Sequence, residues 1–240
     1  MAYSENKGKE INKEITTGSG EIDRKMGGGI PRGSLTLIEG ESDAGKSVLT
    51  QQMIWGSLNC DCSVTLLTTE STIKNFVKQL DSIGLGILDH LLVDRLRIYP
   101  IVFSKEVRDM AVYLKMMAET IKREPETDMI VIDSLTPFVT NSPVEDTIGF
   151  FEACKGFCNE GQTILLVVHS YSFDESMLIR LRSLCDAHLN LRIEKVGDKL
   201  LKVLEVSKVR GATHSTGNIV SFEIEPGWGM RIIPISKASV

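Results

Sequence analysis

One octet constrains the fold of this 240-residue chain more than any other feature. Residues 40–47 read GESDAGKS and satisfy the pattern G-x-x-x-x-G-K-[ST]. They follow a β-rich run at 34–39 and precede residues 48–58, whose apolar positions suit a partly buried helix. A strand, a glycine loop and a helix in that order predict a phosphate-binding loop, because backbone amides and the helix N-terminus then face one anion site.

The residue types inside the loop point to a nucleoside triphosphate with magnesium. Lys46 is expected to place a charge on the β- and γ-phosphates, and Ser47 to ligate the metal. We expect the carboxylates of Glu41 and Asp43 to repel ATP unless they point outward. The candidate nucleotide-binding residues of this segment are Gly40, Glu41, Ser42, Asp43, Ala44, Gly45, Lys46, Ser47 and Val48.

A second strand end supplies the other half of a magnesium site. Residues 129–133, MIVID, form an apolar run that delivers Asp133 to the edge of the sheet. There its carboxylate can hold magnesium together with Ser47. Many parallel strands end in aspartate, so this assignment depends on the glycine loop.

Two more strand ends carry candidate catalytic side chains. Glu70 follows the run at 63–68 and is the candidate base that orients and deprotonates water; a carboxylate near a helix N-terminus is the other interpretation. His169 follows the run at 163–168 and is a candidate sensor of the γ-phosphate, with a plain polar strand end as the alternative.

Strands and helices alternate along most of the chain. This order predicts an α/β fold whose mostly parallel sheet is covered by helices on both faces. Further helices are predicted at 72–83, 106–123 and 144–159, and a further strand at 96–99. After residue 187 strands follow one another without helices, which predicts a C-terminal antiparallel extension, with runs at 187–194, 200–209, 219–224 and 230–234.

Composition limits the partners and the location. We expect residues 1–15, where Lys and Glu are interleaved, to form a loose arm and residues 16–240 to form a single nucleotide-binding domain. A net charge of −5 argues against nucleic acid or anionic lipid as the main partner. No apolar run approaches the roughly 18 residues that span a bilayer, and the chain begins with a polar stretch, so a cytoplasmic protein without membrane insertion is predicted.

Several motifs together resemble the KaiC-type domains of the RecA superfamily. They are TGSGEID at 17–23, the glycine-rich run at 27–33, the phosphate-binding loop, and KVRG at 208–211. The resemblance implies a RecA/KaiC-like core, an oligomer with nucleotide at subunit interfaces, and contacts from Lys208 and Arg210 to the γ-phosphate of the neighbouring subunit. On the residues alone, two cations two positions apart share one face of a strand, and two solvated charges remain the alternative.

Within that superfamily, residues 43–49, 210–212, 216–218 and 225–234 are similar to the archaellum accessory ATP-binding proteins of the FlaH family. The similarity implies ATP and Mg as cofactors and a homo-oligomer, expected to be a hexameric ring. It further implies a cytoplasmic position at the inner face of the membrane, at the base of the archaellum. The implied partners are the motor ATPase and membrane-platform or cytosolic-ring proteins. Binding of ATP at subunit interfaces would regulate assembly and the interaction with the motor ATPase.

One departure bears on catalysis. KaiC-type domains commonly carry two adjacent glutamates after the second strand, and here Thr69 replaces the first and leaves Glu70 alone. A neutral hydroxyl cannot act as the base, so weak or absent hydrolysis is expected if Thr69 occupies the critical position. A KaiC-like signalling ATPase and a DNA-dependent ATPase of the RecA kind are the alternative functions.

Overall fold

A nine-stranded mixed sheet forms the centre of the structure, a computed structural model that describes residues 14–103 and 109–233. A separate ribbon pairs the first two strands. In chain order the strands are β1 (Glu14–Ile15), β2 (Ile30–Pro31), β3 (Leu35–Gly40), β4 (Val64–Thr68), β5 (Leu96–Pro100), β6 (Met129–Asp133), β7 (Thr163–His169), β8 (Ala187–Val196), β9 (Lys199–Val209), β10 (Ile219–Glu225) and β11 (Gly229–Ile233).

Helices connect the parallel strands. They are α1 (Gly20–Lys25), α2 (Lys46–Asn59), α3 (Ile73–Ser82), α4 (Leu88–Leu92), α5 (Ala111–Lys122), α6 (Thr136–Val139), α7 (Val144–Asn159) and α8 (Glu175–Leu184). Within the described ranges, none of them combines the length and the apolar character needed to cross a bilayer.

The order of strands across the sheet is β11-β10-β9-β8-β3-β7-β6-β4-β5. Strands β8 to β5 of this order are parallel, and β9, β10 and β11 pair antiparallel at the other side. The register aligns Gly40 with His169 and Thr68 with Asp133, which brings the ends of four strands to one edge. The predicted parallel sheet with an antiparallel extension is confirmed.

Two hydrophobic cores lie on the two faces of the sheet. Alternate residues of β6 face opposite ways: Val131 joins the core formed with α2 and α3, and Ile132 joins the core formed with α5, α7 and α8. All five residues of β6 are buried, because a parallel strand covered on both faces has no solvent side. Helices on both faces are therefore confirmed.

Some local predictions differ from the structure. No helix was predicted between 168 and 187, yet α8 forms there, and the Asp174 side chain caps it by accepting the N–H of Met177 at 2.8 Å. The loop helix begins at Lys46 rather than at residue 48. Of the predicted arm, residues 1–13 lie outside the described part; Glu14 and Ile15 pair with β2, and Ile15 is fully buried. The predicted helix at 106–123 and strand at 230–234 each extend into undescribed residues.

Candidate functional site

A cavity of about 330 Å³ opens at the edge of the sheet where β3, β4, β6 and β7 end. Ligand sites in open α/β sheets form at the carboxyl ends of the strands, as here. The cavity is lined by Asp43, Gly45, Lys46, Ser47, Val48, Glu70, Asp133, Ser134, His169, Lys202 and Ile224. The structure thus brings together eight of the residues that the sequence predicted for the site.

The loop between β3 and α2 is shaped around the Lys46 ammonium. Gly45 precedes α2 with a φ of 99°, a conformation that glycine adopts without strain. The Lys46 Nζ atom donates to the carbonyl of Gly40 at 3.1 Å and to that of Glu41 at 2.6 Å. Burial lowers the pKa of Lys46, and the negative charge of Asp133 opposes that shift. The ammonium is held over the loop, beside the N-terminus of α2.

Asp133 and Ser47, the two predicted magnesium ligands, lie side by side in the cavity. The Ser47 hydroxyl faces the buried Asp133 carboxylate, and their interaction favours the charged form and so opposes a rise in the pKa of Asp133. Burial, together with the negative charge of Glu70, raises the pKa of Asp133 to about 6. A hydroxyl and a carboxylate side by side are hard oxygen donors of the kind magnesium prefers, so these residues fit that ion. Among the described residues, no three or more His, Cys, Asp or Glu side chains form a group that could hold a metal ion. The remaining ligands of a magnesium ion at Ser47 and Asp133 would be phosphate and water oxygens.

Thr69 and Glu70 have different surroundings. The Thr69 hydroxyl lies 3.2 Å from both the N–H and the carbonyl of Ser134, accepting from the first and donating to the second. Glu70 lines the cavity, and its backbone N–H donates to the Thr68 hydroxyl at 3.1 Å. Thr69 therefore fixes the backbone next to Asp133, and Glu70 is the carboxylate that faces the ligand space.

His169 ends β7, the strand next to β3, and lies beside the phosphate-binding loop. Its Nδ1 atom is 3.3 Å from Lys46 Nζ, and its backbone N–H donates to the Thr136 hydroxyl at 2.8 Å. The ring stacks on Tyr171 with centroids 5.1 Å apart. Burial and the Lys46 charge lower the pKa of His169, which favours the neutral imidazole. A neutral ring beside Lys46 suits hydrogen bonding to a phosphate.

Other residues of the octet support the loop instead of lining the cavity. Glu41 turns outward, where its Oε2 atom accepts the N–H of Ile193 at 3.4 Å. Ala44 is buried in the hydrophobic core, and Ser42 is exposed. Asp43 does line the cavity. Of the two loop carboxylates that were expected to point outward if ATP is to bind, only that of Glu41 does so.

The antiparallel extension supplies residues that the sequence did not predict. Lys202 on β9 donates from Nζ to the Asp43 carbonyl, 159 residues away in sequence. The Phe222 ring packs on Gly45 so closely that a Cβ atom there would lie 3.0 Å from two ring carbons. Ile224 adds an apolar wall near Val48. The sequence around Lys202 is typical of a β-strand, and nothing in it indicates that this lysine contacts the phosphate-binding loop.

Lys208 and Arg210 do not line this cavity. The Lys208 ammonium donates to the carbonyls of Arg182 at 2.9 Å and Cys185 at 2.5 Å. The Arg210 side chain is 58% exposed, with its guanidinium 3.8 Å from Asp186. Their contact with the nucleotide of a neighbouring subunit stays a prediction.

Comparison with known proteins covers nearly the whole chain. The model of the KaiC ATPase family matches residues 15–237. An archaeal flagellar ATP-binding protein FlaH from Sulfolobus acidocaldarius is 31% identical over 92% of this chain and 97% of its own length. The FlaH of Methanocaldococcus jannaschii is 30% identical over 88% of this chain and 91% of its own. The crystal structure of the flagellar accessory protein FlaH from M. jannaschii superimposes with a TM-score of 0.80 at 28% identity, covering 93% of this chain and 98% of that one.

Proposed function

The chain belongs to the KaiC ATPase family and, within it, to the FlaH proteins, and from that membership we propose that it is an archaeal flagellar ATP-binding protein whose ATP-bound form assembles into a ring. The ring is a homo-oligomer, expected to be a hexamer, with nucleotide at the subunit interfaces. It lies in the cytoplasm at the inner face of the cell membrane, where it presents a docking surface to the motor ATPase of the archaellum.

The observation that carries ATP binding is the convergence of Lys46, Ser47 and Asp133 on one cavity at the N-terminus of α2. Lys46 supplies a positive charge, and the helix N-terminus supplies free backbone N–H groups. Ser47 and Asp133 would hold magnesium, which neutralises charge on the phosphate oxygens when it is bound. Val48 and Ile224 offer apolar surface beside the polar floor.

Slow turnover follows from the carboxylates available. Glu70 is the candidate base, because Thr69 is a neutral hydroxyl bonded to the backbone of Ser134. Asp43 adds a negative charge at the mouth of the loop, which opposes the charge that accumulates on the phosphates in the transition state. Both features favour retention of bound ATP over its rapid hydrolysis.

The ring would be completed by cations of the neighbouring subunit. Lys208 and Arg210 stand in the KVRG element, away from the cavity of their own chain, and Arg210 is exposed. A ligand that bridges two subunits stabilises the assembled state by its differential affinity for that state. ATP and magnesium would therefore control assembly even without hydrolysis.

A single-turnover assay combined with a measurement of mass tests this proposal. Excess protein is incubated with labelled ATP and magnesium; retained nucleotide, product and sedimentation are followed for wild type, Lys46→Ala, Glu70→Gln and Lys208→Ala. We expect wild type to retain ATP, to form a ring and to release little ADP. Glu70→Gln should give the same three results as wild type. Lys46→Ala should lose nucleotide, and Lys208→Ala should bind it but assemble poorly. Absence of ATP binding by wild type would refute the proposal, and fast turnover lost in Glu70→Gln would replace it with a cycling ATPase.

A further inference from the structure

The wall of the cavity formed by the antiparallel extension contains one cation. Lys202 lies in the first half of β9, opposite Phe222 on β10. Its Nζ atom donates to the Asp43 carbonyl, and its Cδ atom is 3.6 Å from the Cβ position of Gly45. Phe222 holds the other side of the same glycine, with ring atoms 3.0 Å from that position. Lys202 is thus packed against the phosphate-binding loop of its own chain.

The charges around the cavity are unbalanced without this lysine. Three carboxylates line the cavity, from Asp43, Glu70 and Asp133, against the ammonium groups of Lys46 and Lys202. Like charges in a confined site repel an anionic ligand, and a polyphosphate adds several negative charges of its own. Lys46 alone would face three carboxylates. Lys202 is the second positive charge, and its ammonium contacts the backbone carbonyl of Asp43, the loop residue that carries one of the three carboxylates.

We propose that Lys202 is a second phosphate-binding cation of the nucleotide site, supplied in cis by β9, and that it offsets the charge of Asp43. The inference rests on the proposed function, since it assigns a further residue to the same ATP site. An ammonium group has three donors, so the contact with the Asp43 carbonyl leaves donors for phosphate oxygens. The lysine makes an acidic phosphate-binding loop compatible with an anionic ligand.

The test compares Lys202→Met, Lys202→Arg and a matched control, Lys199→Met. Lys199 is exposed at the start of the same strand and does not line the cavity. Dissociation constants for ATP with magnesium are measured at several salt concentrations, after thermal unfolding has verified that each variant is folded. We expect Lys202→Met to bind ATP about tenfold or more weakly, as for the loss of a hydrogen bond to a charged group, and Lys202→Arg to stay within about threefold of wild type. Lys199→Met should match wild type.

The salt dependence separates a charge contact from a purely structural role. If Lys202 meets the phosphates, the affinity of Lys202→Met should fall less steeply with salt than that of wild type, because one screened attraction has been removed. A loss of affinity with an unchanged salt dependence would mean that Lys202 only positions Asp43, and this outcome overturns the inference. Wild-type affinity in Lys202→Met would overturn it as well. Absence of ATP binding by wild type would instead refute the proposed function itself.

Discussion

The ammonium group of Lys208 binds the carbonyl of Cys185 at 2.5 Å, and the same group binds the carbonyl of Arg182 at 2.9 Å. These carbonyls belong to the C-terminal end of α8, where unpaired acceptors and the helix dipole favour a cation. Lys208 therefore caps a helix of its own subunit. Engagement with the nucleotide of a neighbour would compete with this cap.

Lys208→Met should destabilise the isolated subunit, because two partly buried carbonyls at the end of α8 lose their donor. We expect the free energy of unfolding to fall by about 1 to 2 kcal/mol in the absence of nucleotide, measured by urea denaturation at a concentration where the chain is monomeric. Arg210→Met is the control, since its side chain is exposed and its one ion pair is long. Equal stability of the two variants would exclude the capping role.

Arg182 pairs with a carboxylate buried immediately before the phosphate-binding loop. The Oε1 atom of Glu39 lies 2.5 Å from the Arg182 guanidinium and 3.3 Å from His188 Nε2. Burial raises the pKa of Glu39, but the nearby His188 ring and the hydrogen-bonded Arg182 guanidinium outweigh it and hold this pKa below its usual value. The stabilisation from Glu39 is therefore present at neutral pH and is lost as the pH falls through its folded-state pKa.

Arg182→Met should leave the Glu39 carboxylate buried without its main partner. We expect a loss of about 2 to 3 kcal/mol in the free energy of unfolding at pH 7, somewhat below the cost for a fully buried pair because Arg182 is partly exposed. Arg180→Met, at an exposed position of the same helix, should change stability little. Thermal unfolding of both variants measures the difference, and a similar small effect in each would contradict this account.

Asp133 gives the unliganded protein a pH dependence of the opposite sign. Its pKa is raised from 3.8 to about 6 in the folded state, so folding favours the protonated form. Ionised Asp133 therefore lowers the free energy of unfolding. This loss is absent below the unfolded-state pKa and grows as the pH rises toward the folded-state pKa. Above the folded-state pKa it reaches its full value of roughly 3 kcal/mol.

Asp133→Asn keeps an acceptor for the Ser47 hydroxyl but removes the charge. We expect it to be more stable than wild type at pH 8, by about 1 to 3 kcal/mol, and to differ by only about 0.5 kcal/mol near pH 4, while it binds ATP with magnesium more weakly. Chemical denaturation at the two pH values checks the difference. The control, Asp198→Asn in the exposed turn between β8 and β9, should show no such gain at pH 8.

Gly84 lies against the turn between β10 and β11. It has a φ of 77°, and a Cβ atom at this position would lie 2.3 Å from the Gly227 carbonyl oxygen. Gly84→Ala should lower the free energy of unfolding by at least about 2 kcal/mol, since both the backbone conformation and the contact oppose a side chain.

Gly149→Ala provides the contrast within the same chain. It stands inside α7, and beyond its chain neighbours and the helix's own backbone no atom lies within 4 Å of its Cβ position, so alanine should stabilise the helix by about 0.5 to 1 kcal/mol. Circular dichroism melts of both variants give the comparison. A Gly84→Ala protein as stable as wild type would show that the turn can move away from α3.

The fold, which is confirmed, and the meeting of the candidate site residues in one cavity were both predictable from local patterns. The octet has its own spacing, and Asp133 ends an apolar strand, so both could be assigned without knowing the sheet order. Parallel neighbours then bring their carboxyl ends together, which places Glu70 and His169 at the same edge. The candidate site was therefore largely predictable from strand ends.

The missed features depend on contacts between distant segments. Lys202 reaches the loop only because β9 and β8 pair in a long hairpin beside β3, and no residue near Lys202 indicates that register. The capping contact of Lys208 likewise requires the position of α8. Helix α8 could have been predicted from the sequence, because Asp174 is a good capping residue and Leu178 and Leu181 have helical spacing.

The contact between Phe222 and Gly45 has a practical consequence for spectroscopy. Phe222 and Ile224 belong to the β10–β11 hairpin, whose turn carries Trp228 with 79% of its surface exposed. The other tryptophan of the chain, Trp55, lies on α2, the helix that begins in the phosphate-binding loop. Trp55 thus belongs to the helix that follows the phosphate-binding loop, and Trp228 belongs to the hairpin whose Phe222 contacts Gly45 of that loop. We therefore expect ATP with magnesium to change the intrinsic tryptophan fluorescence, a signal of loop occupancy that needs no attached dye.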